Sequence, residues 1–248
     1  TKEVLDKLSP LKVISRLGIG MDNIDLDTAK ERNIQVFKTE TTPAPAVAEL
    51  AIGLMIDVAR KITKQHQKIT KGNWDKEMGV LLQGKTLGII GLGSIGKTLV
   101  KLVKGFNLKL LAFDLFQNHK FAEEYKVNYC DIDTLLTKSD IVSIHLNLSD
   151  ETKRLMNKDQ LYKMKPESIL INTSRGEIID EEAIFTILKE KKILGAGLEV
   201  FNSEPYSGSL KELDNVVITP NKGAYAKELR INMEIEAAEN LIRGINEV

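Results

Sequence analysis

Two periods of hydrophobicity alternate along this chain. Short apolar runs rich in branched residues occupy positions 11–15, 34–37, 86–90, 108–113, 141–146, 169–172, 196–200 and 216–219. They are too short for stable helices, and several show no polar alternate face, which predicts strands covered on both sides. Between them the spacing turns helical. Residues 27–32, 132–137, 158–164 and 181–191 read as helices, and 1–9 as the end of one. Val47, Leu50, Ala51, Leu54, Met55, Val58 and Ile62 follow i, i+3, i+4, i+7 spacing. The prolines of TTPAPAVAEL are therefore expected to open a long helix running to about Lys71, closed by Gly72 and Asn73. Its stripe of Leu and Met reads as a connector or dimer element rather than a site. Residues 74–83 read as loop, and a final helix is expected from Ala224 to about Gly244, with Ile231, Ile235, Ala238 and Leu241 on one face. Strands alternating with helices imply an α/β fold with a doubly wound parallel sheet, whose ligands gather at the carboxyl ends of the strands. The chain opens in the middle of such a unit, so part of the first sheet is expected to precede Thr1.

One strand-to-helix junction carries chemistry. Residues 84–114 read GKTLGIIGLGSIGKTLVKLVKGFNLKLLAFD. Gly91, Gly93 and Gly96 form G-x-G-x-x-G directly after a strand, and helical spacing begins at Ile95. The first glycine allows the tight turn, and the second lets backbone approach a pyrophosphate. The third lets helix pack on strand, with phosphates at the positive helix N-terminus around Ser94 and Ile95. The next strand ends at Asp114, eighteen residues past Gly96, where a carboxylate accepts hydrogen bonds from an adenosine ribose and repels a 2′-phosphate. A lone glycine fingerprint is weak, a packing turn being its plain alternative. Strand, turn, helix, second strand and terminal acid in that order make NAD the expected cofactor.

Charge and cysteine content narrow the class. Lys plus Arg and Asp plus Glu balance at 35 each, which leaves no electrostatic footprint for nucleic acid or an anionic membrane. The single cysteine, Cys130, has no internal disulfide partner, as expected in a reducing compartment. No signal-peptide pattern opens the chain, and Glu49 and Asp57 interrupt its most apolar helix. A cytoplasmic protein without a membrane span or a metal site is expected.

Several segments, LKVISRLGIGMDNIDL, VAELAIGLM, GKTLGIIGLGSIG, SDIVSIHLNLSDETKRLMN, MKPESILINTSRGEIIDEEAI, GAGLEVFNSEP and NVVITPNKGAY, span nearly the whole chain. Together they resemble the D-isomer-specific 2-hydroxyacid dehydrogenases, nearest in pattern to the phosphoglycerate dehydrogenase branch. The resemblance implies an enzyme moving hydride between NAD(H) and a D-2-hydroxy acid/2-oxo acid pair, 3-phosphoglycerate-like among the candidates. It implies a Rossmann-type NAD-binding domain at 46–223. A discontinuous, flavodoxin-like substrate domain, N-terminally incomplete, would occupy 1–45 and 224–248, with a cleft between the two. It also implies a homodimer formed through the cofactor domain and the long connector helix.

Carried over residue by residue, the resemblance makes Arg175 of NTSRG the group that holds the substrate carboxylate and 2-oxo group. A guanidinium fork suits a carboxylate and stays charged at any working pH. Backbone N–H groups of Ile19 and Gly20 would also grip the carboxylate, a glycine turn being the plain alternative. Gly91, Gly93, Ser94, Ile95, Gly96, Asp114, His145, Thr173, Ser174, Arg175, Glu199, Asn221 and Gly223 fall at cofactor positions. Glu204 of NSEP matches the acid that pairs with the family's proton-donating histidine and raises its pKa. That histidine belongs where the family reads T-P-H-x-G, and this chain reads Thr219-Pro220-Asn221-Lys222-Gly223. Asn donates a hydrogen bond but supplies no proton, and losing a positioned acid typically costs about 10²- to 10⁴-fold. Lys222 is a candidate replacement, although neighbouring side chains on an extended segment diverge. Glu199 stands where Asp is usual, and Asn147 where Pro is. His66 and His119 read as exposed helical residues. Asn221 also keeps open the alternative of a catalytically weak NAD(H)-binding protein with a sensing or scaffold role.

Overall fold

The structure is a computed structural model that describes residues 1–8, 10–21 and 23–247. The chain divides into two compact units, residues 1–46 with 224–248 and residues 47–223. The smaller opens with α1 (Lys2–Lys7), β1 (Val13–Arg16), α2 (Leu26–Glu31) and β2 (Gln35–Lys38), the two strands pairing in parallel with Val13 opposite Gln35. The helix end expected over 1–9 thus stops at Lys7, and Ser9 lies outside the described residues. Asp25 caps α2 by accepting from the Thr28 N–H at 2.9 Å, which satisfies a first-turn donor.

The single long helix expected from the proline pair is two. Helix α3 (Ala44–Arg60) ends at Lys61, whose φ of 55° is left-handed, and α4 (Ile62–Thr70) follows. The Asp57 carboxylate accepts from the Thr63 N–H at 2.8 Å and from its hydroxyl. This side-chain cap competes with the helical ladder, a competition that apolar spacing does not record.

The larger unit then alternates β3 (Thr86–Ile90), α5 (Ser94–Leu102), β4 (Lys109–Phe113), α6 (His119–Tyr125), β5 (Val127–Tyr129), α7 (Ile132–Lys138), β6 (Ile141–Ile144), α8 (Lys158–Tyr162), β7 (Ile169–Asn172), α9 (Glu181–Lys189), β8 (Gly195–Leu198) and β9 (Val216–Ile218). The apolar pattern does not single out α6 or β5. The strands form one parallel sheet in the order β5-β4-β3-β6-β7-β8-β9, the Rossmann-type doubly wound arrangement, with its switch point between β3 and β6. Strands β6, β7 and β8 are buried along their whole length, as their unbroken apolar or small-residue runs require. Leu54, Met55, Leu99 and Val100 belong to one core, and Leu135, Leu136, Ile184 and Ile187 to a second. Each such side chain removed from water contributes about 1.5–3 kcal/mol. Helix α3 comes close because β8 is GAGL: a Cβ at Gly197 would lie 2.8 Å from that of Leu54.

The last helix, α10 (Lys227–Asn246), belongs to the smaller unit. The Ser15 hydroxyl donates to the Ala237 carbonyl at 2.7 Å, and the Asn240 amide to the Lys38 carbonyl at 3.0 Å. Glu236 accepts from the N–H groups of Glu40 and Thr41. These bonds turn Met233, Asn240 and Gly244 inward, with Gly244 against Val13 and Phe37. Ile231, Ile235, Ala238 and Leu241 do share a face, and that face is exposed. Among the described residues no helix is long and apolar enough to cross a membrane.

Candidate active site

The glycine turn lies at the switch point. Gly91 adopts φ 96°, a region L side chains avoid,. Its N–H donates to the Phe113 carbonyl at 2.9 Å, and a Cβ there would come within 2.6 Å of the His145 carbonyl oxygen. The turn is thereby wedged between the ends of β4 and β6. At Gly93, which precedes α5, a built Cβ meets nothing within 4 Å. Open space therefore faces the positive end of α5, where a phosphate can reach first-turn N–H groups at Ser94 and Ile95. Asp114 accepts from the Leu92 N–H at 2.6 Å and the Phe116 N–H at 2.8 Å. Its carboxylate ties the glycine loop to the end of β4 and still has acceptor sites for ribose hydroxyls. Residues 115–119 contain no Lys or Arg to receive a 2′-phosphate. These features fit NAD, with the pyrophosphate at α5 and the ribose at Asp114.

The carboxyl ends of β7, β8 and β9 lie side by side. After β7, Asn172 Oδ1 accepts from the Ser174 N–H and hydroxyl at 3.1 and 2.7 Å, and its Nδ2 donates to the Arg175 carbonyl at 2.9 Å. This turn holds Arg175 half-buried, with its guanidinium donating to the Ser174 carbonyl at 2.8 Å. Gly176 has no room for a side chain, since a Cβ would lie 2.6 Å from the Asn202 nitrogen. The Arg175 turn therefore packs on the segment that follows β8. Neither Asn172 nor Gly176 was among the expected site residues; the glycine after Arg in NTSRG was the signal that marked the second.

On that segment Glu204 accepts from the Phe201 N–H at 3.2 Å and from Asn221 Nδ2 at 3.0 Å. Asn221 adopts φ 45° and donates its N–H to the Glu199 carbonyl at 2.9 Å. The left-handed conformation is one that Asn tolerates better than most residues. Glu199 is 2% exposed. Its Oε1 accepts from the Gly223 N–H, and among the described residues its Oε2 has no hydrogen-bond partner. Burial pushes this carboxyl up to about 7, opposed by the Gly223 N–H. His145 is also buried, with Nε2 at 2.9 Å from the Ser143 hydroxyl and Nδ1 at 3.4 Å from that of Thr173. Burial pulls it down to about 4, so the imidazole is neutral at physiological pH. Lys222 is exposed, as are His66 and His119.

A cavity of ≈ 610 Å³ is lined in part by Glu204, Tyr206, Thr219 and Asn221. A larger one of ≈ 680 Å³ runs along α3 and β9 and holds none of Arg175, Glu199, Glu204 or Asn221. Of those four residues, the smaller one holds Glu204 and Asn221. In the smaller unit, the loop after β1 turns at Gly18, whose φ is 130° and whose N–H donates to the Thr39 hydroxyl at 3.0 Å. Ile19, next in that loop, is 39% exposed. Among the described residues no group of three or more His, Cys, Asp or Glu could hold a metal ion.

Residues 52–223 match the sequence model of the D-isomer specific 2-hydroxyacid dehydrogenases, NAD binding domain. The chain belongs to this family. A hydroxypyruvate reductase of Thermotoga maritima is 40% identical over 99% of this chain and 81% of its own length. A D-3-phosphoglycerate dehydrogenase of Archaeoglobus fulgidus is 38% identical over 97% of this chain and 46% of its own length. The crystal structure of the TT0316 protein from Thermus thermophilus superposes with a TM-score of 0.91 at 34% identity, covering 99% of this chain and 79% of that one. The resemblance, the Rossmann-type fold and NAD as cofactor are thereby borne out. In this dehydrogenase the Glu204 carboxylate pairs with an amide rather than an imidazole. That pair orients a hydrogen bond but stores no proton.

Proposed function

We propose that this dehydrogenase interconverts a small D-2-hydroxy acid and its 2-oxo acid using NAD(H). The observation that carries the reading is the Arg175 turn beside the Glu204–Asn221 pair, on neighbouring strand ends of an NAD-binding sheet. Reduced nicotinamide, when bound, supplies the hydride. Arg175 holds the substrate carboxylate through its planar fork, independent of pH. Asn221, anchored by Glu204, offers an oriented amide at the reacting group. His145 stays neutral and orders Thr173 rather than donating a proton. The proton then comes from solvent through the open cavity, with exposed Lys222 as this chain's own candidate donor. 3-Phosphoglycerate is one candidate within the substrate class. We also infer a cytoplasmic homodimer. Trp74, Met78 and Leu81, exposed at 81%, 89% and 68% on the segment after α4, support self-association, and sedimentation tests it.

A second reading, a catalytically weak NAD(H)-binding protein with a sensing or scaffold role, is favoured by the absence of an imidazole beside Glu204. An NADH fluorescence titration followed by a 2-oxo acid panel (glyoxylate, pyruvate, hydroxypyruvate, phosphohydroxypyruvate) separates the two. Binding with turnover supports the first reading and binding without turnover the second. Absence of NADH binding would sink both.

A further inference from the structure

We propose that the substrate this site reduces best is a 2-imino acid, the iminium formed from a 2-oxo acid and ammonia or a primary amine. The proposal rests on the dehydrogenase reading above and concerns the atom bonded to C2.

Proton supply is the first ground. Reducing a carbonyl places hydride on C2 and the π pair on oxygen, and the resulting alkoxide needs a proton from a positioned acid. Beside Asn221, the candidate donor Lys222 is exposed on the loop rather than held in place. Glu204 serves as acceptor to two N–H donors. His145 is buried between Ser143 and Thr173 and uncharged. Glu199 holds a proton up to about 7, but its carboxyl is buried beneath the Gly223 N–H and does not line the cavity at Asn221. An iminium, R–C(=NH2⁺)–COO⁻, already carries the proton. Hydride from the reduced nicotinamide adds to C2, the C=N π pair becomes the nitrogen lone pair, and a neutral amine results with atoms and charge balanced. The amine later takes its proton from water, outside the reducing step.

Hydrogen-bond polarity is the second ground. Glu204 accepts only, so the Asn221 amide is held by its NH2 end at 3.0 Å, and that contact decides which end is nitrogen. The Oδ1 end is an acceptor, which matches an iminium N–H, whereas a carbonyl oxygen needs a donor. Charge is the third. The Glu204 carboxylate holds the Asn221 amide at 3.0 Å, and an anion beside the reacting group favours a cation over a developing alkoxide. Arg175 takes the carboxylate of either substrate equally, so discrimination falls on nitrogen against oxygen.

The test is NADH oxidation by the whole protein with glyoxylate, pyruvate or hydroxypyruvate, each alone and with ammonium or methylamine, with the products identified by chromatography. The expected result is an increase of about 10²-fold with amine, the low end of the cost of a missing acid, and a 2-amino acid or its N-methyl derivative as product. Rates unchanged by amine, with 2-hydroxy acid as product, would overturn the proposal and leave the proposed function standing. NADH binding with no oxidation under either condition would overturn both. Asn221→His, which puts an imidazole beside Glu204, is expected to raise the oxo-acid rate and lower the amine-dependent one. A variant that raises both equally would overturn the proposal. As a readout free of turnover, alanine should bind the NADH-loaded protein at least tenfold more tightly than lactate, and equal affinities count against the proposal.

Discussion

Glu199→Gln isolates the buried carboxyl. The substitution keeps the side-chain shape and an oxygen for the Gly223 N–H, and removes the titration. In the native protein burial holds the carboxyl at about 7 against its ordinary 4.5. The folded state therefore binds this proton more tightly than the unfolded chain. The stability this provides is fully present below pH 4.5 and is lost as pH rises through 7. At about 1.36 kcal/mol per pH unit, the change across that window is about 3 kcal/mol. Glutamine titrates nowhere in the range, but its amide hydrogens replace the partnerless Oε2 and cost about 1–3 kcal/mol at every pH. The variant is thus expected to be the less stable protein at pH 5 and to gain about 3 kcal/mol on the native protein by pH 8–9. For a unit of this size the change amounts to about 6–12 °C in relative Tm. His145 acts in the opposite sense. Its depressed pKa provides stability above pH 6.5 that is lost as pH falls toward about 4, but it is common to both proteins and cancels in the difference. Calorimetric Tm measured from pH 5 to 9 on both proteins is the assay. A Tm difference that stays constant across the range, or moves against the variant as pH rises, refutes the assignment.

Three further outcomes are expected. Arg175→Ala should weaken binding of a 2-oxo acid analogue such as oxamate by about 10²-fold, the worth of a forked charge-assisted contact, while NADH affinity measured by fluorescence changes little; a matching loss of NADH binding would remove Arg175 from the substrate role. Gly176→Ala forces a Cβ to 2.6 Å from the Asn202 nitrogen, so chemical denaturation should show a loss of about 1–3 kcal/mol or more, and an unchanged midpoint would mean the two segments are not packed as described. Glu77 is held at about 2, first by Lys68 and then by Lys64, a contribution present above pH 4.5 and lost as pH falls toward 2. Glu77→Gln should cost about 1–2 kcal/mol at neutral pH, discounted for the partly exposed lysines, and the two proteins should converge near pH 2; a gap that persists there rules the ion pairs out as its cause.

What the sequence shows clearly is what local sterics dictate. Gly91 is legible because its left-handed φ and its closeness to His145 leave no room for a side chain, and the strand, turn, helix and terminal acid follow in fixed order. The Arg175 turn is legible for the same reason, through Gly176. The break between α3 and α4 is not, because it depends on one carboxylate, Asp57, choosing Thr63 over solvent. The exposed face of α10 is not legible either. An apolar period says which residues share a face, but the bonds from Ser15, Glu236 and Asn240 decide which face meets the sheet. Glu199 is the sharpest case. The letter Glu in place of Asp is visible in the sequence, whereas its burial and its partnerless oxygen exist only once the 219–223 loop closes over it.

Two of the three departures from the family pattern, Glu199 and Asn221, meet in one hydrogen-bonded corner. Asn221 reaches Glu204 through its side chain and Glu199 through its backbone, and Gly223, two residues on, returns to the Glu199 carboxyl. An Asn at 221 does not leave the exposed Glu204 unpaired; its amide donates to the carboxylate at 3.0 Å. What disappears is the proton, since a carboxylate–amide pair has nothing to release. The longer Glu199 side chain carries its carboxyl one methylene further, to the Gly223 N–H. Burial of Glu199 therefore underlies the pH profile expected for Glu199→Gln, and the carboxylate–amide pair at Glu204 and Asn221 underlies the proposed preference for a substrate that brings its own proton.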